Sequence, residues 1–431
     1  MAGYIEDRWY RKGPPDPETG KPTREETDLH GVGMRYKVAG IPGVRARSFP
    51  EKRLKDARAW LADAQSKSRA GEFIDPRRGQ ILLVDYIEQH WWPTMTGDPA
   101  TLETIANRVW GHIVPRLGQL SLNAIKVEQL RRWLKDVEAD IGPSTINAVW
   151  GYLSVILTAA VEGERIPRNY CKSSSVKPPA VPERKARAWT RERVFAVREA
   201  IDPRYRLMVD LGVGAGLRQG EMLGLSVDDI DTHAGVIRIR RQVRKVDNKL
   251  VFAPPKRGKS RVVPLSQHLH ALISAHMEAR PPKKVELPWI NSADPETDKQ
   301  IKDWAPQTHE LILTSPWGKA IRRDSWNRLV WKEALVGAGV IPPPMTRKQP
   351  VRGTNKFRTV KSYAESRQDG LHATRHTFVS QLLGAGTSIV AVSNYVGHKD
   401  PSITLRIYAH MMPESDERGR AAIDAWFEGE S

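Results

Sequence analysis

The segment GHKDPSITLRIYAH, residues 397–410, decides how the rest of the chain is read. Two histidines and one tyrosine surround an Asp-Pro-Ser break, so Tyr408 is either an aromatic closing a core or a side chain whose oxygen does chemistry. The second reading requires polar partners elsewhere, and three stretches supply them. Arg218 lies in GAGLRQGEMLGL, where Glu221 falls three residues later on the same helical face and is placed to hold the guanidinium. Lys256 lies in PPKRGKSRVVPL, the turn between two predicted strands. His372 and Arg375 share one helical turn of LHATRHTF, and His398 begins the quoted segment.

Composition narrows the partner. The 431 residues carry 68 Lys and Arg against 50 Asp and Glu, a net charge of +18, which favours a polyanion and nucleic acid first. An anionic membrane is disfavoured: MAGYIEDRWYRK has acids at Glu6 and Asp7 and no apolar run. The apolar stretch INAVWGYLSVILTAAV, 146–161, is about four residues short of a span and contains Asn147, Tyr152, Ser154 and Thr158, so it reads as a core helix. Cys171 is the single cysteine, which rules out an intrachain disulfide and fits a reducing, cytoplasmic setting.

The chain is expected to be multidomain and mainly α, with small β elements. Residues 1–72 read as a three-stranded sheet, from YIEDRWYRK, MRYKV and VRARSF, backed by one helix. Residues 78–171 read as a helical bundle, with Ser144 or Thr145 capping the helix that follows GPST. Residues 172–188 hold three prolines, three serines and five basic residues against one acid, and read as an unpacked basic linker. From 189 to 431 the pattern is mixed α/β, with excursions at 281–300 and 341–362.

Several motifs fail on inspection. APPKRGKS, 253–260, ends like a phosphate-binding loop but has Ala253 at the first glycine position and two prolines after it. GVGAGLRQG, 212–220, has Leu217 at the last glycine position of a dinucleotide fingerprint. His372 and His376 have zinc-helix spacing, but Ala373 replaces the catalytic glutamate and a third ligand is lacking, so no metal or cofactor is expected. Between Ala234 and Val263, ten Lys or Arg face a single acid, Asp247, a charge density that phosphate contact would offset. Charge alone does not separate Lys256 from Arg257, Lys259 and Arg261 there.

Taken together, GLRQGEMLGL, LHATRHTF and GHKDPSITLRIYAH resemble the boxes of the tyrosine recombinases of the phage-integrase type. The resemblance runs over 189–431, and the layout is similar to integrases with an amino-terminal arm-site domain. Ala373 and Thr374 stand where that family more often has Asp-Leu. The resemblance implies a site-specific recombinase working through a 3′-phosphotyrosyl intermediate, with Tyr408 as nucleophile, Arg218 and Arg375 clamping the phosphate, Lys256 as general acid, His372 taking the tyrosine proton, His398 donating to the phosphate, and Glu221 in support. It implies a homotetramer on double-stranded DNA at core and arm sites, with a directionality factor and a host DNA-bending protein as further partners. Arg238, Arg240, Arg241, Arg244, Arg257, Lys259, Arg261, Lys177, Arg184, Lys185 and Arg187 are expected to contact DNA, and Ile423, Trp426 and Phe427 of the tail to dock on a neighbour. The alternatives are a type IB topoisomerase and a non-catalytic DNA-binding regulator.

Overall fold

A computed structural model describes residues 3–41, 44–69, 74–182, 187–290, 305–350, 357–364, 367–398, 400–409, 420 and 423–427. The chain is mainly helical with small antiparallel sheets and divides into two compact units, 1–96 with 104–181 and 97–103 with 182–431.

In the first unit, β1 (Tyr4–Asp7) is followed by β2 (Tyr10–Pro15) and β3 (Pro22–Glu26), then by β4 (Tyr36–Ala39) and β5 (Arg47–Phe49). The three-stranded antiparallel sheet has the order β1-β4-β5 and packs Tyr36, Val38 and Phe49 with Ala57 and Ala64 of helix Leu54–Arg69. YIEDRWYRK, expected as one strand, is divided between β1 and β2, and β2 forms a separate hairpin with β3. Asp16 explains it: its Oδ1 accepts from the backbone N–H of Glu18 at 3.0 Å and Thr19 at 2.8 Å, confining the turn to a few residues. Pro15 and Pro22 face one another at the hairpin end, where a missing donor costs little.

The helical part of this unit includes Pro99–Arg108, whose first residues belong to the second unit, together with Val127–Glu138 and Pro143–Glu162. Pro143–Glu162 is long and apolar enough to cross a membrane by length and composition. Here it buries Ile146, Val149, Leu153, Ile156, Leu157 and Ala160, and it packs against Val127–Glu138. Its N-cap is Gly142, without a side-chain cap, so neither Ser144 nor Thr145 performs that role. Pro143 sets the boundary instead, since its preset φ and absent N–H suit the first helical position.

Residues 173–182 form no helix or strand, but they are not unpacked as expected. Val176 is buried, Arg131 donates to the Ser175 carbonyl at 2.8 Å and Asn147 to that of Pro179 at 2.7 Å. The prolines hold the chain extended, which exposes its carbonyls to these donors.

The second unit gathers helices Arg191–Ala200, Arg206–Ala215, Gln267–Ala279, His372–Gly384, Ile389–Val396 and Pro401–Tyr408 around one apolar core. Its strands are β6 (Ile230–Asp231), β7 (Val236–Ile239), β8 (Gln242–Val246), β9 (Lys249–Ala253) and β10 (Arg261–Pro264). β7 is central between β6 and β10, while β8 and β9 form a hairpin turning on Asp247 and Asn248, both at positive φ. The two excursions contain strands. β11 (Lys283–Pro288) pairs with β12 (Pro306–Leu311), and β13 (Met345–Pro350) pairs with β14 (Phe357–Ser362).

Candidate active site

The site is assembled from the ends of short elements in the second unit. Helix Arg206–Ala215 stops at Gly216, whose φ of +61° turns the chain back. A side chain at 216 would also collide with the ring of Phe378, so glycine is required twice over. The reversal delivers Arg218 to the N-cap of helix Gln219–Leu223. Glu221, at the third position of that helix, accepts from the Arg218 backbone N–H at 2.8 Å and from its Nη1 at 3.0 Å.

Glu221 is fully buried and holds a second guanidinium. Arg261 of β10 donates to both of its oxygens at 2.7 Å, a bidentate pair, and its Nε donates to the Tyr395 carbonyl at 2.7 Å. Burial would raise the Glu221 pKa, but Arg261 and then Arg218 outweigh it and hold the carboxyl at about 2. Arg261, expected from its place in a basic stretch to contact DNA, here faces inward and ties β10 to Glu221 and to helix Ile389–Val396. Arg261→Ala leaves Glu221 buried with one partner fewer, and we expect a loss of about 3–5 kcal/mol in urea unfolding.

The segment 397–410 now reads element by element, as far as Ala409. Gly397, φ +66°, closes helix Ile389–Val396, and a Cβ there would press on Arg261. Its carbonyl accepts from Arg218 Nη2 at 3.3 Å. His398 follows at once, its Nδ1 2.7 Å from Thr404 Oγ1. Asp400 caps the last helix by accepting from the Ser402 N–H at 2.8 Å, and Pro401 occupies its first position. Seven residues on, Tyr408 is 1% exposed at the helix end, within the apolar core.

Arg375 is also 1% exposed. It donates to the Gly216 carbonyl at 2.5 Å and to the Val396 carbonyl, so it spans the two turns that position Arg218 and His398. Ala373 and Thr374 beside it are buried where helix His372–Gly384 packs on helix Arg206–Ala215, a place for small side chains. Burial, then the charges of Arg218 and Arg261, lower the Arg375 pKa to about 9. Burial and Arg375 likewise lower His398 and His376, each to about 4. His372 is depressed by the crowding around it, then by His376 and Arg375, although its ring keeps more solvent access than the other two.

His376 is the residue that sequence reasoning missed. Its Nδ1 lies 2.6 Å from Tyr408 Oη, the place expected for His372. His372 instead packs edge to face on the His376 ring, with centroids 4.7 Å apart. Its signal in the sequence is adjacency to Arg375 within LHATRHTF. Burial pushes the Tyr408 phenol up to about 12, with Arg375 pulling the other way.

Lys256 is exposed on the short turn Lys256–Gly258, and among the described residues it makes no hydrogen bond or ion pair with the cluster. The backbone of Arg257 lies in the same turn, and Lys259 is exposed just after it. Most of the other basic residues of 234–263 are neutralised by acids outside the stretch. Arg238 pairs with Asp231 at 2.6 Å, Arg240 with Asp229 at 2.8 Å and Arg244 with Asp98 at 2.7 Å. Arg241, 5% exposed, pairs with Asp229 at 2.5 Å. Lys177 and Arg187 are exposed, while Arg184 and Lys185 lie outside the described residues. Ile423, Trp426 and Phe427 are all exposed.

Residues 191–415 match the phage integrase family. The chain is 25% identical over 390 residues to a XerC-like tyrosine recombinase of Caldanaerobacter subterraneus, covering 85% of this chain and 88% of that one. It is 26% identical over 238 residues to the integrase of Mycobacterium phage L5, covering 52% and 62%. Among solved structures, the Tn1549 transposon integrase bound to transposon right-end DNA has the same fold, with TM-score 0.57, 18% identity and coverage of 80% and 98%. A lambda integrase dimer on a COC′ core site gives TM-score 0.51, 13% identity and coverage of 89% and 96%.

Proposed function

The chain belongs to the phage integrase family, and from that premise we propose how its site cuts and rejoins DNA. It is a tyrosine-type site-specific DNA recombinase. Its relatives are recombinases and integrases, which favours neither a topoisomerase nor a non-catalytic regulator.

One observation carries the assignment of the site. Arg375 is buried, and burial, then Arg218 and Arg261, lower its pKa against the opposing pull of Glu221; burial, then Arg375, Arg218 and Arg261, lower that of His398. Such a set carries more positive than negative charge, and a bound phosphodiester offsets part of the surplus. Arg218 and Arg375 then hold the non-bridging oxygens, where charge accumulates as phosphorus becomes five-coordinate, with His398 as a further donor. Glu221 and Arg261 position Arg218 rather than touch the phosphate.

Tyr408 Oη attacks phosphorus, the bond to the 5′ oxygen breaks, and that oxygen leaves with a proton from Lys256, reaching in from its exposed turn. The 3′-phosphotyrosine keeps the bond energy, so a 5′ hydroxyl from a second site can reverse the step without water or an external energy source. Lys256→Ala should slow cleavage of ordinary DNA by about 10²-fold or more and recover on a substrate with a 5′-bridging sulfur, which needs no proton. Absence of rescue moves the acid role to Lys259.

In the same reading four protomers exchange strands at paired core sites, and the exposed Ile423, Trp426 and Phe427 dock on a neighbour. The sheet within 1–72 binds separate arm sites, a directionality factor and a DNA-bending protein set the outcome, and the protein works in a bacterial cytoplasm. A nicked duplex that traps the covalent complex tests the proposal, since only a nucleophilic enzyme accumulates it.

A further inference from the structure

We propose that His376 is the proton acceptor for Tyr408 during attack on the scissile phosphate, the role that the sequence pattern assigns to His372. The inference rests on the reading of Tyr408 as nucleophile and adds a residue to it.

The geometry comes first. Nδ1 of His376 and Oη of Tyr408 are 2.6 Å apart, within the range for direct transfer. The other imidazoles are occupied or displaced: Nδ1 of His398 is engaged with Thr404, and among the described residues His372 makes no hydrogen bond to the phenol. A lone pair at Nδ1 requires the proton to sit on Nε2, and it requires a neutral ring. Burial and Arg375 keep the ring neutral at working pH.

The groups around His376 explain how a weak base suffices. His372 and Arg375 lie on its own helix, Tyr408 reaches it from helix Pro401–Tyr408, and His398 comes from the neighbouring turn. All of these are cations or neutral rings, so the free protein resists protonating His376. A bound phosphodiester adds negative charge beside Arg375 and relieves that resistance when the proton must move. As the Oη–P bond forms and the P–O5′ bond breaks, the phenol proton passes to Nδ1 while the leaving oxygen takes its own from the separate acid. On resealing, the imidazolium returns the proton to Oη.

The test measures single-turnover adduct formation on a nicked suicide duplex across pH, beside duplex binding and thermal unfolding. His376→Asn places an amide oxygen near the position of Nδ1, so it keeps a hydrogen bond but cannot accept the proton. We expect its rate near neutral pH to fall by about 10²-fold with binding unchanged, and then to climb by about tenfold per pH unit as phenolate forms. The wild-type rate should stay flat over the same range. Fluorotyrosine at 408, a more acidic phenol, should restore much of the loss in His376→Asn, and added imidazole should do so in His376→Ala, which opens a ring-sized space. A His376→Asn enzyme with wild-type rate and a flat profile, or a faster one, overturns the proposal, as does a loss greater in His372→Asn. If the wild type itself forms no adduct at Tyr408, the failure lies in the nucleophile reading instead.

Discussion

Tyr408→Phe should form no covalent protein–DNA complex and exchange no strands, while binding its duplex as the wild type does. The substitution removes only the phenol oxygen. The phenyl ring still fills its place in the core, and the guanidiniums of Arg218 and Arg375 lie on other elements. The lost hydrogen bond to His376 should cost about 1 kcal/mol of stability, too little to unfold the domain. Labelled suicide duplex on a denaturing gel reads the first effect and fluorescence anisotropy the second. A persisting adduct would move the nucleophile elsewhere.

Arg375→Lys should be the next most damaging change, lowering cleavage by about 10²–10³-fold although the charge is kept. The guanidinium holds the Gly216 and Val396 carbonyls at once, and with them the turns that carry Arg218 and His398. A lysine ammonium is a point donor on a flexible stem and cannot span both carbonyls while facing a phosphate. One buried carbonyl then goes unpaired, so unfolding should show a loss of about 1–3 kcal/mol as well. Comparison with Arg218→Lys separates the two contributions: Arg218 is partly exposed and bonded to Gly397 at 3.3 Å, so its replacement should cost activity with a smaller loss of stability.

What was legible in the sequence was what is encoded locally. His398 and Tyr408 lie within eleven residues of one quoted segment and the Arg218–Glu221 pair within four, so the short segments that carry the family resemblance hold them. What escaped depended on distant partners. The arginines of 234–263 look unpaired along the chain because Asp228, Asp229 and Asp231 fall just before that window and Glu221 and Asp98 lie further away. The role of His376 is set by Tyr408, thirty-two residues later, and no periodicity within one helix reports a contact of that kind. Pro143 likewise overrode the Ser and Thr after it, since proline fixes a helix start more firmly than a hydroxyl can.

Which atom takes the broken strand is measured by digesting the complex trapped on a nicked duplex and sequencing the peptide that retains DNA. The expected result is a single modified peptide in which Tyr408 carries the 3′-phosphate. A modified residue other than Tyr408, or cleaved ends released by water with no protein attached, would contradict it.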